Sequence, residues 1–217
     1  MKKISIIVVA HGIDQPTRDR FTDSILKSKC NYPYEIFMMG DLKRDLSKSF
    51  NKCILLNEGL RQTLKGDFDF IIQTDIDLVC PPGLINKTIE TIDNKEDIMF
   101  HHCMRRLEKE EFDKYDCYDK YPFDEWKECH MVYATGCWNG MRTKLWKKSG
   151  GFDEGMIDWG YEDRDWMNRC KKKGVEVKDC YDYALTHIEH LERNENVTTY
   201  NKKIAQQSKD KDKDNWI

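Results

Sequence analysis

The chain has 217 residues, with 36 Lys+Arg against 39 Asp+Glu, and is 39% hydrophobic. That length suits one large domain, and the near-balanced charge excludes the basic footprint of a nucleic-acid-binding domain. The apolar run that opens the chain, Ile4 to Ala10, is too short for a signal-peptide core or a membrane span, which leads to the expectation of a soluble cytoplasmic protein.

Ile4–Val9 is β-branched and nearly continuous, as suits a parallel strand buried on both faces, and it leads into a loop at Ala10-His11-Gly12. Pro16 opens a predicted helix that carries Phe21, Ile25 and Leu26 on one face. A second strand is predicted from Tyr34 to Met39, and it ends at Gly40-Asp41. Cys53, Leu56, Leu60 and Leu64 fall at helical spacing within Asn51–Lys65, with Gly66 as the stop. Asp69–Gln73 is the third strand. Pro81-Pro82 then introduces a helix with Ile85, Ile89 and Ile92 on one face, and Ile98–Phe100 is a short strand. Strand–helix repetition of this kind predicts an α/β fold, a mostly parallel central sheet with helices on both faces.

Leu107–Glu128 is acidic and aromatic, and it reads as an excursion from the sheet that forms a satellite cluster or an acceptor-binding wall. Further on, Met131–Thr135 reads as a strand, Gly136–Gly140 as a tight loop and Arg142–Lys148 as a helix. Trp166, Met167 and Cys170 continue a helix ending at Gly174. Val175–Val177 and Tyr181–Thr186 read as short strands, and a last helix starts near Val197. The single domain is expected to span residues 1–207, with the Lys/Asp run 208–217 as a disordered tail or linker. Nine cysteines, an odd number without CxxC pairs, read as reduced thiols that mostly fill the core.

Candidate chemistry gathers at the strand exits, where open parallel sheets bind ligands. Asp75 and Asp77 follow the third strand two residues apart, and in extended backbone they point the same way. Like charges held that close call for a cation, and hard divalent ions share such oxygen ligands with phosphates. A second carboxylate cluster, Glu162, Asp163 and Asp165, opens a helix, where the macrodipole favours acids and keeps them ionised. It follows Trp159-Gly160-Tyr161, two aromatics on which a sugar ring can stack. A carboxylate beside such a ring can serve as general base for an attacking hydroxyl. His187 and His190 follow a strand, and either can complete a divalent site.

The ordered set Ile4–Ala10, Asp41, Asn57-Glu58-Gly59, Asp75-Ile76-Asp77, Gly150-Gly151-Phe152-Asp153-Glu154 and Trp159-Gly160-Tyr161-Glu162-Asp163 resembles a GT-A glycosyltransferase of the family 2 type. Its carboxyl half is similar to the segment shared by β-1,4-galactosyltransferases and polypeptide N-acetylgalactosaminyltransferases. The resemblance covers roughly residues 4–193. It implies nucleotide-sugar contacts at Ala10, His11, Gly12, Asp41 (on the uracil), Asn57, Asp75, Ile76 and Asp77. It places Mn²⁺ or Mg²⁺ on Asp77 and His187, with Asp75 facing the ribose or the metal. Asp163 becomes the catalytic base, and Trp159, Gly160, Tyr161 and Glu162 the sugar-binding wall. The implied activity is transfer of a hexose from a nucleotide-sugar, most simply a UDP-sugar, to an acceptor hydroxyl of a glycan or glycoconjugate, with inversion. A retaining GT-A transferase, a sugar nucleotidyltransferase and a non-catalytic carbohydrate-binding module are the alternatives. The second would more often carry a glycine-rich basic loop where Ala10-His11-Gly12 stands.

Overall fold

Strand β1 (Ile4–Val9) is buried along its whole length, because both faces of the sheet are covered by helices. The computed structural model describes residues 1–11, 13–40, 51–188 and 195–207. The expectations placed on Gly12, Asp41, His190 and the 208–217 tail lie outside the described residues. After β1 come α1 (Gln15–Lys27), β2 (Tyr34–Met39), α2 (Lys52–Lys65) and β3 (Phe70–Asp75). These are followed by β4 (Leu78–Val79), α3 (Leu84–Asp93), β5 (Ile98–His102) and β6 (Met104–Leu107). The acidic–aromatic excursion holds α4 (Lys109–Phe112), a 3-10 turn (Tyr118–Lys120) and α5 (Phe123–Trp126). The carboxyl half adds β7 (Met131–Val132), β8 (Trp138–Arg142), α6 (Thr143–Ser149), α7 (Glu162–Lys172), β9 (Glu176–Cys180), β10 (Thr186–Ile188) and α8 (Glu195–Gln207).

Local chemistry sets the helix starts. Asp14 accepts the Thr17 N–H at 2.8 Å and Pro16 follows it in the first turn of α1. Asn51 accepts the Ile54 N–H at 3.1 Å at the start of α2. Each side-chain oxygen satisfies a backbone donor that the helix itself leaves unpaired.

The main sheet has the order β2-β1-β3-β8-β5-β9. Three of its five neighbour pairings are parallel, and β8 runs antiparallel to both β3 and β5. Alternate residues divide the core into two layers. Ile4, Ile6, Val8, Phe70 and Ile72 meet Phe21, Ile25, Ile85 and Ile89 from α1 and α3. Ile7, Val9 and Ile71 meet Leu56, Leu60, Trp146 and Trp166 from α2, α6 and α7. Ser5, on the second face, shares a 2.8 Å hydroxyl bond with Thr63, so its burial leaves no polar atom stranded. None of the nine cysteines is in a disulfide.

Three local expectations are corrected. Gly136–Gly140 is not one tight loop: Trp138–Arg142 is a buried strand between β3 and β5. Its Gly and Asn suggested a turn, but both have packing reasons to be there. The Asn139 amide donates to Gln73 Oε1 at 2.9 Å and to the Thr135 carbonyl at 2.8 Å. A Cβ on Gly140 would sit 2.4 Å from Thr88 Cγ2, so glycine lets α3 close on the sheet. The strand expected over Met131–Thr135 shrinks to Met131–Val132. The strand expected over Tyr181–Thr186 begins only at Thr186.

A second sheet, β4-β10-β6-β7, stands beside the main one. It is underlain by the satellite cluster of Val79, Leu107, Phe112, Tyr118, Trp126 and Ala184, which matches the expected excursion. Among the described residues no helix is long and apolar enough to cross a membrane.

His102, at the end of β5, is buried in its neutral form. Its Nδ1–H donates to the Cys103 carbonyl, and Nε2 accepts the Tyr183 N–H at 3.2 Å. Burial pushes its pKa down to about 4. The unfolded chain takes up this proton near the ordinary histidine value, and the folded chain resists it. Stability from this group is therefore complete above pH 6.5 and is lost as pH falls towards 4, by up to about 3 kcal/mol. The urea midpoint should fall across that window, and His102→Gln should flatten the slope. A midpoint whose pH dependence is the same in both proteins would refute the assignment.

Candidate active site

The candidate site begins where β3 stops. The strand ends at Asp75, and Ile76-Asp77 form a turn before β4. The extended-strand picture of two parallel carboxylates is therefore corrected. Asp75 and Asp77 meet different partners, although Asp77 still raises the cost of ionising Asp75. Burial pushes the Asp75 carboxyl up, Lys52 opposes this, and Asp77 adds to it.

Asp77 meets His187. β10 pairs antiparallel with β4, with His187 opposite Leu78 and Thr186 opposite Val79. That register sets the imidazole beside the turn, with Nε2 3.2 Å from Asp77 Oδ2. One carboxylate and one imidazole, both largely buried, form a donor pair suited to Mn²⁺ or Mg²⁺, and the nitrogen suits manganese better. Among the described residues no group of three or more His, Cys, Asp or Glu is gathered into a metal cage. Asp75, also expected in the ligand set, has its Oδ1 2.9 Å from the Lys52 ammonium.

Asp163 is the second residue of α7. Its Oδ2 is 3.4 Å from Lys52 Nζ, while Oδ1 is buried with no hydrogen-bond partner. Gly136 presses on it: a Cβ there would lie 2.1 Å from Asp163 Oδ2. Glu162 is almost fully buried, with Oε1 3.1 Å from Lys52 and Oε2 accepting the Gly160 N–H. Burial works against ionisation of Glu162, but Lys52 and the hydrogen bonds outweigh it, so its pKa is lowered. For Asp163, burial is the largest influence and raises the pKa well above the ordinary value. Lys52 only partly opposes it, and Glu162 and Asp75 push further up. The expectation that the helix N-terminus keeps Asp163 ionised is thus opposed by burial and like charge.

The aromatic loop before α7 is backbone-strained. Asp158 and Tyr161 have φ of 49° and 77°, and Gly160 has 112°. Non-glycine residues in that region cost about 1–2 kcal/mol each, so they persist only where surrounding contacts impose them. Here α8 imposes them. Asn201 donates to the Ile157 and Gly160 carbonyls at 2.9 and 2.8 Å, and accepts the Ile157 N–H at 3.0 Å. Trp159 and Tyr161 are half-buried against the second core layer.

A family profile described as "N-terminal domain of galactosyltransferase" matches residues 125–194, the stretch that carries this loop, Asp163 and His187. No curated protein sequence matches the chain. Among solved structures, the catalytic domain of Drosophila β1,4-galactosyltransferase 7, in complex with xylobiose, superposes with a TM-score of 0.65 at 16% identity, covering 99% of this chain and 83% of that one. GalNAc-T7 with UDP, GalNAc and Mn²⁺ gives 0.62 at 11% identity, covering 88% and 45%. S. aureus TarS 1–349 with UDP-GlcNAc gives 0.62 at 15%, covering 89% and 60%.

The chain has the GT-A glycosyltransferase fold. Within it, the residues expected to share a site divide into two neighbouring groups. Asp75, Glu162 and Asp163 converge on its ammonium, and Asp77 with His187 lies just beyond Asp75. Ala10 and Ile76 are buried, so only their backbones can serve a ligand. The Ala10 carbonyl already accepts from Arg18 Nη2. His11 packs against Gly40, whose Cβ position would lie 2.8 Å from His11 Cβ.

Asn57 has a different occupation from the expected nucleotide contact. It is fully buried, donating to the Phe152 carbonyl and Glu154 Oε1 at 2.9 Å each and accepting the Phe152 N–H at 2.8 Å. Asn57 thereby binds Gly150–Glu154 to α2, with help from Asn51 on the Glu154 carbonyl and Arg61 on its carboxylate. Lys52 is the residue that sequence reasoning missed. Its signal was a cation in the first turn of α2, the end where the helix dipole disfavours positive charge. Asn57→Ala leaves both Phe152 backbone groups unpaired inside the protein, a cost of about 2–4 kcal/mol. Urea denaturation should show that loss, and one below about 1 kcal/mol would mean that Asn57 does not hold the segment.

Proposed function

We propose that this GT-A chain is a metal-dependent hexosyltransferase that moves a sugar from a UDP-linked donor to an acceptor hydroxyl, with inversion at the anomeric carbon. The observation that carries this reading is the convergence of Asp75, Glu162 and Asp163 on Lys52, next to the Asp77–His187 pair. A carboxylate–imidazole pair and a carboxylate of raised pKa thus stand near one another at the carboxyl edge of the sheet, which supports an ion site beside a general base.

Asp77 and His187 would hold the divalent cation beside the donor's diphosphate. When bound, the cation supplies Lewis-acid stabilisation of the departing nucleoside diphosphate. Asp163, made more basic by burial, takes the proton of the acceptor hydroxyl as that oxygen attacks the face opposite the leaving group. A single displacement inverts the configuration. Trp159 and Tyr161 offer ring faces to the acceptor sugar. The glycan or glycoconjugate class of the acceptor is supported by the xylobiose bound in the Drosophila relative, and the UDP donor by the UDP-sugar and UDP complexes of the other two.

Nucleotide-sugars screened with and without Mn²⁺ should raise the melting temperature only together, since ligands that bind the folded state alone stabilise it. Asp77→Ala should abolish that metal-dependent shift, and a shift of wild-type size would refute the ion site. Asp163→Asn should reduce transfer by about 1,000-fold or more while the donor-induced shift persists. Normal turnover in that variant would exclude Asp163 as the base, and NMR of the product's anomeric proton tests inversion. Gly136→Ala forces the Asp163 carboxylate aside, so transfer should drop by about tenfold or more and the melting temperature should fall with it. An alanine variant of wild-type activity would show that this contact does not place the base.

A further inference from the structure

Lys52 is nearly enclosed, yet it occupies the helix end where a lysine is least welcome. Its ammonium has three hydrogens, and three carboxylate oxygens stand round it: Asp75 Oδ1 at 2.9 Å, Glu162 Oε1 at 3.1 Å and Asp163 Oδ2 at 3.4 Å. The carboxylates come from separate elements, Asp75 from the end of β3 and the other two from the start of α7. The lysine's own backbone is fixed from the same neighbourhood. Its N–H bonds to the Asp158 carbonyl at 3.2 Å, and Asn51 and Asp158 form a bridge. Both ends of the side chain are thereby anchored to the segment that leads into α7.

We propose that Lys52 is a positioning residue for transfer: its ammonium ties donor-side Asp75 to acceptor-side Glu162 and Asp163 and so fixes the base relative to the bound donor. Three carboxylates this close, two of them largely shielded from water, repel one another, and without a shared cation the start of α7 and the end of β3 are pushed apart. A displacement of about 1 Å between base and reacting carbon is enough to cost about 100-fold in rate. The Asp77–His187 pair, which would carry the donor's diphosphate through the cation, sits outside this tie, so loss of the tie falls mainly on kcat. The role rests on the assignment of Asp163 as base.

The test compares Lys52→Met and Lys52→Arg with wild type and Asp163→Asn. Each is measured for transfer kcat per folded protein, for UDP-sugar Kd by calorimetry with Mn²⁺ present, and for melting temperature. Lys52→Met should lower kcat by about 100-fold with the donor Kd within about threefold of wild type. Lys52→Arg keeps the charge but moves its donors. It should recover part of the loss, standing about tenfold below wild type with the same Kd. If Lys52→Met does not fold, the arginine variant decides alone. Wild-type kcat in Lys52→Arg, or donor affinity falling in step with kcat, would overturn the positioning role. An inactive Asp163→Asn beside normal lysine variants overturns this role only. A fully active Asp163→Asn overturns the base assignment, and this role with it.

Discussion

Three carboxylates and one ammonium meet at the carboxyl edge of the sheet, with Lys52, Glu162 and Asp163 largely shielded from water and Asp75 partly open to it. An uncompensated charge in such a place costs several kcal/mol, so the arrangement survives only through mutual pairing. The rest of the local structure follows from keeping that group together. α2 must bring its first residue to the start of α7, and it is held there by Asn51, Asn57 and Arg61 along the Gly150–Glu154 segment. Trp146 and Trp166 stack at 4.5 Å behind it, with Phe152 5.1 Å from Trp166, so the charged space rests on a rigid apolar floor.

The two sheets divide the labour. The main sheet supplies the end of β3 and, through β8, the loop that seats Gly136 against Asp163. The small sheet delivers the histidine: β4 is only two residues long, yet its pairing with β10 fixes His187 beside Asp77. The aromatic cluster behind that sheet, from Phe112 to Trp126, therefore has an indirect role, because it supports the strands that bring the imidazole in.

The first half of the fold was legible because its signals are local. Ile4–Val9, Tyr34–Met39 and the helix beginning at Asn51 show apolar periodicity with caps, and these elements stand where that periodicity put them. β8 was hidden because its glycine and asparagine answer to neighbours, Thr88 and Gln73, that are close only in three dimensions. The partners of Asp75 were hidden for the same reason. Spacing showed two carboxylates near one another, but the turn at Ile76 and the pairing with Lys52 depend on how α2 lies. His187 was found from its place after a strand, whereas the register that brings it to Asp77 belongs to the folded sheet. Asn57 was recognisable as important from its segment, but its work on Phe152 could not be inferred from spacing.

α8 adds one more consequence. Asn201 holds the Ile157–Gly160 loop across 44 positions of sequence, and Lys52 reaches Asp163 across 111. Contacts this distant in sequence are slow to form, because the chain entropy of closing them is spent before they return anything. The sheet and its first helices can assemble early from neighbouring segments, but the carboxylate cluster around Lys52 cannot. During synthesis, a chain that has emerged only as far as about residue 100 holds Asp75 and Asp77 without Glu162, Asp163, His187 or the helix that braces the loop. These groups can meet only when the fold is complete.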